Sequence, residues 1–247
     1  MTKVAHIWRH PIKSHGTETL DSVELDAGRT MPWDRRWAIA HDASKADDAE
    51  WAPCVNFTIG SKAPKLMAIK ARANEETGLV TLNHPGLPPF TFNPDTDSEA
   101  FLDWVKPLVP PNRAQSARVV RVPGRGMTDT DFPSISIANL ASHSQVAKQL
   151  DQEISPLRWR ANIWLEGLKP WEEFEWLGQR FRVGTAEFEI RERIKRCLAT
   201  TANPETGERD ADTLGALNAG WGHQDFGVYA EVVTPGRIAL GDNAELI

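Results

Sequence analysis

A cysteine at the end of a row of basic residues is the first feature of this sequence that could do chemistry. Cys197 follows Arg191, Arg193 and Lys195 at strand spacing, so in a β-strand these four side chains share one face. Neighbouring Lys and Arg side chains favour the thiolate form of a cysteine, which attacks electrophiles and ligates soft metals. The alternative is that Cys197 is a small buried apolar residue beside a solvated charged face.

The residues that follow Cys197 and the residues around Cys54, the other cysteine, lead to different predictions. Residues 203–207, with the sequence Asn-Pro-Glu-Thr-Gly, predict a turn that ends the strand and leaves the thiol near an edge. Cys54 has mostly apolar neighbours and no adjacent charge, so it is predicted to take no part in chemistry. Two isolated cysteines also exclude a disulfide scaffold, a zinc ribbon and a four-cysteine cluster.

Further basic residues stand at predicted junctions between turns and strands. Lys13 and Ser14 follow the first predicted strand, Arg35 leads into another, and Arg160 precedes a third, close to Asn162. Cationic side chains beside hydroxyls and loop N–H groups suit a phosphate or pyrophosphate. Surface ion pairs are the alternative interpretation, because the chain has many carboxylates.

Short apolar or alternating runs, bounded by Gly, Pro, Asn and Asp, predict a mostly β fold with a few short helices. Strands are predicted at residues 4–8, 37–40, 66–69, 79–82, 118–122, 162–165, 180–183 and 228–233. Ser98 and Asn139 are predicted to cap two helices, and a third helix includes Leu214 and Leu217. Three prolines in residues 107–111 predict a boundary between domains 1–110 and 111–247, or else a long surface loop.

Composition and missing motifs narrow the function. The 247 residues carry 34 acidic and 28 basic side chains, a net charge of −6 that does not favour a nucleic-acid partner. Neither a signal peptide nor an 18-residue apolar run is recognised, so we expect a cytoplasmic protein without a membrane partner. The nucleophile elbow, the Walker A loop and the H-E-x-x-H motif are all missing, and the seven histidines lack ligand spacing.

Taken together, these clusters resemble the MOSC family, named for the C-terminal domain of molybdenum cofactor sulfurases. Within it the chain is similar to the two-part proteins related to the mitochondrial amidoxime-reducing component. The block Arg-Cys, Thr-Thr and Asn-Pro-Glu-Thr-Gly at residues 196–207 is the most specific motif. The resemblance also rests on Pro-Ile-Lys-Ser at 11–14, Asp-Arg-Arg-Trp at 34–37, Ala-Pro-Lys-Leu at 63–66, Arg-Ala-Asn-Ile at 160–163 and Gly-Asp at 241–242.

The resemblance implies a β-barrel MOSC domain with an N-terminal β-barrel subdomain, and a molybdenum cofactor, which is a metal held by a molybdopterin. The family's metal-ligating cysteine matches Cys197. Positions that hold the pterin and its phosphate match Lys13, Ser14, Arg35 and Arg160. Asn162 and Arg196 match neighbouring positions, and Lys195 stands where one relative has a serine at the metal.

The implied activity is reduction of N-hydroxylated compounds, such as amidoximes and hydroxylamines, by removal of oxygen. Because the sequence has no haem, flavin or iron–sulfur motif, electrons are expected from separate redox proteins: a reductase, a ferredoxin or a haem protein.

The alternatives to this activity are a carrier of sulfur as a Cys197 persulfide, a carrier of the cofactor without turnover, and a barrel that only binds partners. In sulfurases a separate pyridoxal-phosphate domain generates the sulfur. The sequence departs from the family's pattern at two positions. Ala161 stands where the family often has proline, and Ser61 stands where it has arginine.

Overall fold

The computed structural model describes residues 1–247 and has a mostly β fold with three short helices, as predicted. The helices are α1 (Ser98–Val105), α2 (Leu140–Leu150) and α3 (Thr213–Trp221). The strands are β1 (Lys3–Arg9), β2 (Glu18–Leu20), β3 (Ser22–Leu25), β4 (Ala38–His41), β5 (Lys70–Asn74), β6 (Leu79–His84), β7 (Leu87–Phe92), β8 (Ser116–Val120), β9 (Ile135–Asn139), β10 (Ile163–Glu166), β11 (Arg180–Val183), β12 (Ala186–Lys195), β13 (Asp225–Thr234), β14 (Gly236–Ala239) and β15 (Ala244–Leu246).

Eight strands form one curled sheet in the order β15-β11-β12-β13-β9-β10-β1-β2. Although β15 and β1 stand far apart in this order, the chain just before β15 is hydrogen-bonded to β1. The amide of Val4 donates to the carbonyl of Asp242 at 3.0 Å, and that of Gly241 donates to Val4 at 2.8 Å. The sheet therefore curls far enough for its ends to meet, as in a barrel.

The interior of this sheet is filled by alternate side chains of its strands. On β12, Phe188, Ile190 and Ile194 are buried, while Arg191, Arg193 and Lys195 are exposed. The predicted two-residue alternation is thus confirmed. It places the basic row on the outside, and Cys197 lies two residues after the last residue of the strand.

Two of the three smaller sheets lie in the first half of the chain, where β4 pairs with β8 and β5, β6 and β7 form a meander, and the third pairs β3 with β14. Their apolar side chains pack with α1 in a second hydrophobic cluster that includes Trp37 and Phe101. Strands β1 and β2 belong instead to the large sheet with the second half of the chain. The division into domains 1–110 and 111–247 stays a prediction.

Two local predictions need correction. The helix predicted to be capped by Ser98 begins at Ser98, and its cap is Asp97, without a side-chain hydrogen bond. Residues 66–69, predicted as a strand, lie mostly in the 3-10 helix Pro64–Ala68. Pro64 at its first position has a backbone preset for a helical turn, which outweighs the short apolar run.

The other two helices are confirmed. Asn139 caps α2 by accepting a hydrogen bond from the amide of Ala141 at 2.8 Å, as predicted from its type and position. Helix α3 contains Leu214 and Leu217 and packs against α2. None of the three helices is long and apolar enough to cross a membrane.

Candidate functional site

A cleft of about 410 Å³ opens where β12 ends, and we call it the cationic cleft. It brings together the turn after β1, the loop before the 3-10 helix at 64–68, the loop before β10, and the end of β12. Only two acidic side chains, Asp129 and Glu192, line it. Seven cationic side chains line it in a chain whose net charge is −6, and they are Lys13, Arg35, Arg158, Arg160, Arg193, Lys195 and Arg196.

Cys197 lies at the rim of the cationic cleft with an exposed thiol. Arg196 separates it from the end of β12, and the 3-10 helix Leu198–Thr201 follows it. Its carbonyl accepts hydrogen bonds from the amide of Thr200 at 3.2 Å and from the hydroxyl of Thr200 at 3.1 Å. The Thr200 hydroxyl also bonds to that of Thr213 on α3 at 2.7 Å. The backbone of Cys197 is therefore fixed, while its thiol faces the cleft.

Arg160 is a cation without an acidic partner in hydrogen-bond contact. Its guanidinium donates to the carbonyl of Gly16 at 3.1 Å and to the hydroxyl of Thr17 at 3.4 Å, both neutral oxygens. Burial, together with the positive charge of Arg35, lowers the pKa of Arg160 to about 9. Its φ of 51° is left-handed, a conformation that turns the chain from the 3-10 helix Pro156–Trp159 towards β10. An anion bound in the cleft would relieve the cost of this buried charge.

Arg196 is also held by neutral groups. Its guanidinium donates to the carbonyl of Phe226 at 2.8 and 2.6 Å and to the carbonyl of Trp159 at 2.7 Å. It lies over the rings of both residues, at 5.7 and 5.8 Å from their centroids. Burial lowers its pKa to about 10. Its hydrogen bonds fix the chain just before Cys197, and its charge adds to the positive potential of the cleft.

Lys13 lies in a turn, as predicted, and its ammonium is bound by the protein. The Nζ atom donates to Asp129 Oδ1 at 2.5 Å and to the carbonyl of Met127 at 2.7 Å. Burial raises the pKa of Asp129, but the charge and hydrogen bond of Lys13 outweigh this and lower it. Ser14, the next residue in the turn, has a left-handed φ of 62° and also lines the cleft.

Arg35 is fixed by a buried network behind the cleft. It forms an ion pair with Asp34 and donates to the carbonyl of Arg160 at 2.8 Å. Asn162 does not line the cleft, and its amide donates to Asp34 Oδ1 at 2.9 Å while its oxygen accepts from Ser136 at 2.8 Å. Asn162 therefore orients Asp34, which in turn orients Arg35.

Two of the remaining positions lie at the edge of the cleft. Lys195 is the last residue of β12, and its side chain is exposed at the rim of the cleft. Ser61 lines the cleft where the resemblance expects an arginine, and its carbonyl accepts a hydrogen bond from Arg209 at 2.9 Å. A guanidinium from another segment therefore lies next to the position where the family's arginine is missing.

Four residues outside the predicted cofactor site also line the cleft. Asp129 and Arg158 belong to no motif, and Tyr229 is the only tyrosine of the chain. Burial and the negative charge of Asp129 raise the pKa of Tyr229, so its hydroxyl stays protonated. Cys54 lies in the same cleft as Cys197, and burial and Asp129 raise its pKa. Cys54 has no charged neighbour in the sequence, but Lys13 and Asp129 from distant segments line the same cleft. That Cys54 takes no part in chemistry stays a prediction.

Two protein-family models match the chain. The family model described as "MOSC domain" matches residues 127–245, and that described as "MOSC N-terminal beta barrel domain" matches residues 1–105. A molybdenum cofactor sulfurase of Caenorhabditis briggsae is 32% identical over 120 residues, which are 46% of this chain and 16% of the sulfurase. The sulfurase of Caenorhabditis elegans is 31% identical over 121 residues, 47% of this chain and 17% of its own. The chain therefore covers less than a fifth of either sulfurase.

Solved structures also resemble the chain. The YuaD protein from Bacillus subtilis aligns with 100% of this chain and 96% of its own, at a TM-score of 0.48 and 14% identity. YiiM from Geobacillus stearothermophilus aligns with 46% of this chain and 53% of its own, at a TM-score of 0.36 and 18% identity.

Proposed function

Because the chain belongs to the MOSC domain family, we propose that its cationic cleft binds a molybdenum cofactor through Cys197 and that the protein reduces N-hydroxylated compounds. The observation that carries the proposal is the position of an exposed thiol at the rim of a cleft with seven cationic side chains. The match to molybdenum cofactor sulfurases supports an association with this cofactor.

The residues present fit the chemistry of such a cofactor. A molybdopterin carries a phosphate, and the guanidinium of Arg160 reaches only neutral oxygens in the protein. A phosphate beside it would replace the water lost on burial with charge-assisted hydrogen bonds, and Arg35 adjoins the same site. Cys197 offers the soft thiolate that suits molybdenum, and it is exposed and not shielded by packing.

The proposal assigns each side chain a separate task. Cys197 ligates the metal, and Arg160, Arg35, Lys13 and Ser14 hold the pterin and its phosphate. Arg196 and Lys195 contribute positive charge to the part of the cleft that holds the thiol. Asn162 acts through Asp34 and Arg35 and has no direct contact with the cofactor.

When bound, the cofactor would supply the two-electron chemistry that cleaves the N–O bond. The conversion of an N–OH group to N–H and water consumes two electrons and two protons. The hydroxyl of Tyr229 lies in the cleft and stays protonated, so it can donate a hydrogen bond to a developing negative charge on oxygen. The electrons would come from a separate redox protein, such as a reductase, a ferredoxin or a haem protein.

Metal analysis of protein made in a host that synthesises the cofactor tests the proposal. We expect about one molybdenum per chain in the wild type, and loss of the metal in Cys197→Ser. Cys54→Ser is the matched control, since it removes the other thiol of the same cleft and should keep the metal. The rate at which each protein reduces benzamidoxime, with electrons from a chemical reductant, should rise and fall with its molybdenum content. Equal molybdenum in Cys197→Ser and the wild type, or none in either, would refute the proposal.

A second candidate is a sulfur carrier, favoured by the similarity to molybdenum cofactor sulfurases together with the exposed thiol of Cys197. In this role Cys197 would hold a persulfide beside the cationic side chains, which stabilise its anion. Mass spectrometry of the intact protein distinguishes the two functions. One added sulfur atom on Cys197, without molybdenum and without reduction of benzamidoxime, would favour the carrier.

A further inference from the structure

A second cavity of about 240 Å³ lies against the cationic cleft, and we call it the apolar chamber. Its wall includes Val55, Phe57, Ala63 and Val109, and most of its lining is hydrophobic. Ile59 and Cys54 line both cavities, so the two spaces adjoin at these side chains. A molecule lying in the apolar chamber could therefore extend a polar group past Cys54 into the cationic cleft.

The size and lining of the apolar chamber indicate what it would hold. Cavities of about 150 Å³ lined by apolar side chains bind benzene, so this space is large enough for one substituted ring. One wall carries a polar atom in need of a partner. The ring of His41 donates from Nε2 to the carbonyl of Val55 at 2.8 Å, which leaves Nδ1 buried as an acceptor without a donor.

The outer side of the chamber is open and apolar. Val55 is 73% exposed, which is unusual for a branched apolar side chain, and the 3-10 helix Cys54–Asn56 that carries it has no buried residue. Lys62 and Arg113 place two exposed cations beside this opening. The chamber is therefore a site that small molecules can reach from solvent, in contrast to an enclosed packing defect.

We propose that the apolar chamber binds the ring of the substrate and that the substrates are small aromatic N-hydroxylated compounds. The ring would pack against Val55 and Val109, and its N-hydroxylated group would extend past Cys54 towards Cys197. This proposal deepens the proposed function and rests on it for the reaction, while binding in the chamber is measurable without the metal.

Filling the chamber tests the assignment. Ala114 is exposed and lines the chamber, so Ala114→Trp should block it without disturbing the core. Ala219→Trp is the matched control, because Ala219 is an exposed alanine on α3 outside the chamber. Val55→Asp is a second variant, which places a charge on the apolar rim. Circular dichroism of each variant checks the fold.

The first measurement uses protein without metal and the probe 4-fluorobenzamidoxime, followed by 19F NMR. We expect binding to the wild type and to Ala219→Trp, and a loss of about tenfold or more in affinity for Ala114→Trp and Val55→Asp. The bound probe should also slow the alkylation of Cys54 by iodoacetamide in the wild type. Equal binding to all four proteins, or unchanged alkylation of Cys54, would overturn the proposal.

The second measurement uses the metal-loaded enzyme and separates the two proposals. Ala114→Trp should raise the KM for benzamidoxime about tenfold with little change in kcat, and should leave turnover of acetamidoxime, which lacks a ring, unchanged. If Ala114→Trp loses binding in the 19F measurement while the wild type contains no molybdenum, the result supports the chamber and refutes the proposed function. Turnover of benzamidoxime that Ala114→Trp leaves unchanged would support the function and refute the chamber.

Discussion

Replacing Asp34 by asparagine should destabilise the protein strongly, although the two side chains have the same shape. Asp34 is 1% exposed and accepts hydrogen bonds from the amide of His10 at 2.8 Å and from Asn162 at 2.9 Å, besides its ion pair with Arg35. Burial raises the pKa of Asp34, but the charge of Arg35 and the hydrogen bond from His10 outweigh it and hold the pKa well below its usual range. The carboxylate is therefore charged in the native state.

The magnitude follows from these contacts. In Asp34→Asn, one oxygen can still accept from His10 and Asn162, but the new NH₂ group faces the guanidinium of Arg35. Removing one partner of a buried ion pair costs about 3–5 kcal/mol. We expect the lower end, about 3 kcal/mol, because Asp129 also favours the charged form of Arg35. For a chain of this size, that loss lowers the Tm by about 6–12 °C.

Urea unfolding followed by circular dichroism measures the effect. The control is Glu205→Gln, which removes the exposed ion pair with Lys70 at 2.7 Å and should cost less than about 1 kcal/mol. The double variant with Arg35→Gln should restore part of the loss, because no unpaired charge then remains. A loss in Asp34→Asn no larger than that of the control would refute the reasoning about Arg35.

Three further predictions concern a buried histidine, a glycine and the unpaired arginine. His143 accepts from Trp159 Nε1 at 3.0 Å and donates to the carbonyl of Ile154 at 3.0 Å, and burial lowers its pKa to about 4, so the native state resists its protonation. His143 should therefore contribute about 2 kcal/mol to the loss of stability between pH 7 and 5 in urea titrations of the wild type, and His143→Gln should lose about that much less. Gly207→Ala should cost more than Gly78→Ala in thermal unfolding. Both have left-handed φ, but the new Cβ at 207 would lie 2.5 Å from Lys65 Cα, whereas that at 78 meets only a side chain at 3.6 Å. Arg160→Met should stabilise the metal-free protein by about 1 kcal/mol, since it removes a buried unpaired charge. It should also abolish the rise in Tm that pyrophosphate causes in the wild type; a similar rise in both proteins would contradict this role.

Local patterns were enough to predict the β character of the chain, the cap of α2 and the alternation along β12. Each depends on residues close in sequence: Asn139 bonds to the amide two residues later, and the faces of β12 follow from the pleat. The strand predicted at residues 66–69 was wrong. A short apolar run there has no distinct period, and Pro64 favours a 3-10 turn.

The sequence by itself determined that Arg191, Arg193 and Lys195 share one exposed face of a strand and that Cys197 follows them, and the resemblance to a known family supplied the proposed roles. Only the tertiary structure decided which residues share the cleft. Arg160 reaches Thr17, 143 residues away, and Cys54 lies in the same cleft as Cys197, although its neighbours in the sequence carry no charge. The apolar chamber is likewise formed by distant segments. Such contacts arise from the pairing and curling of strands, which depend on the packing of the whole sheet and are not encoded in any one segment.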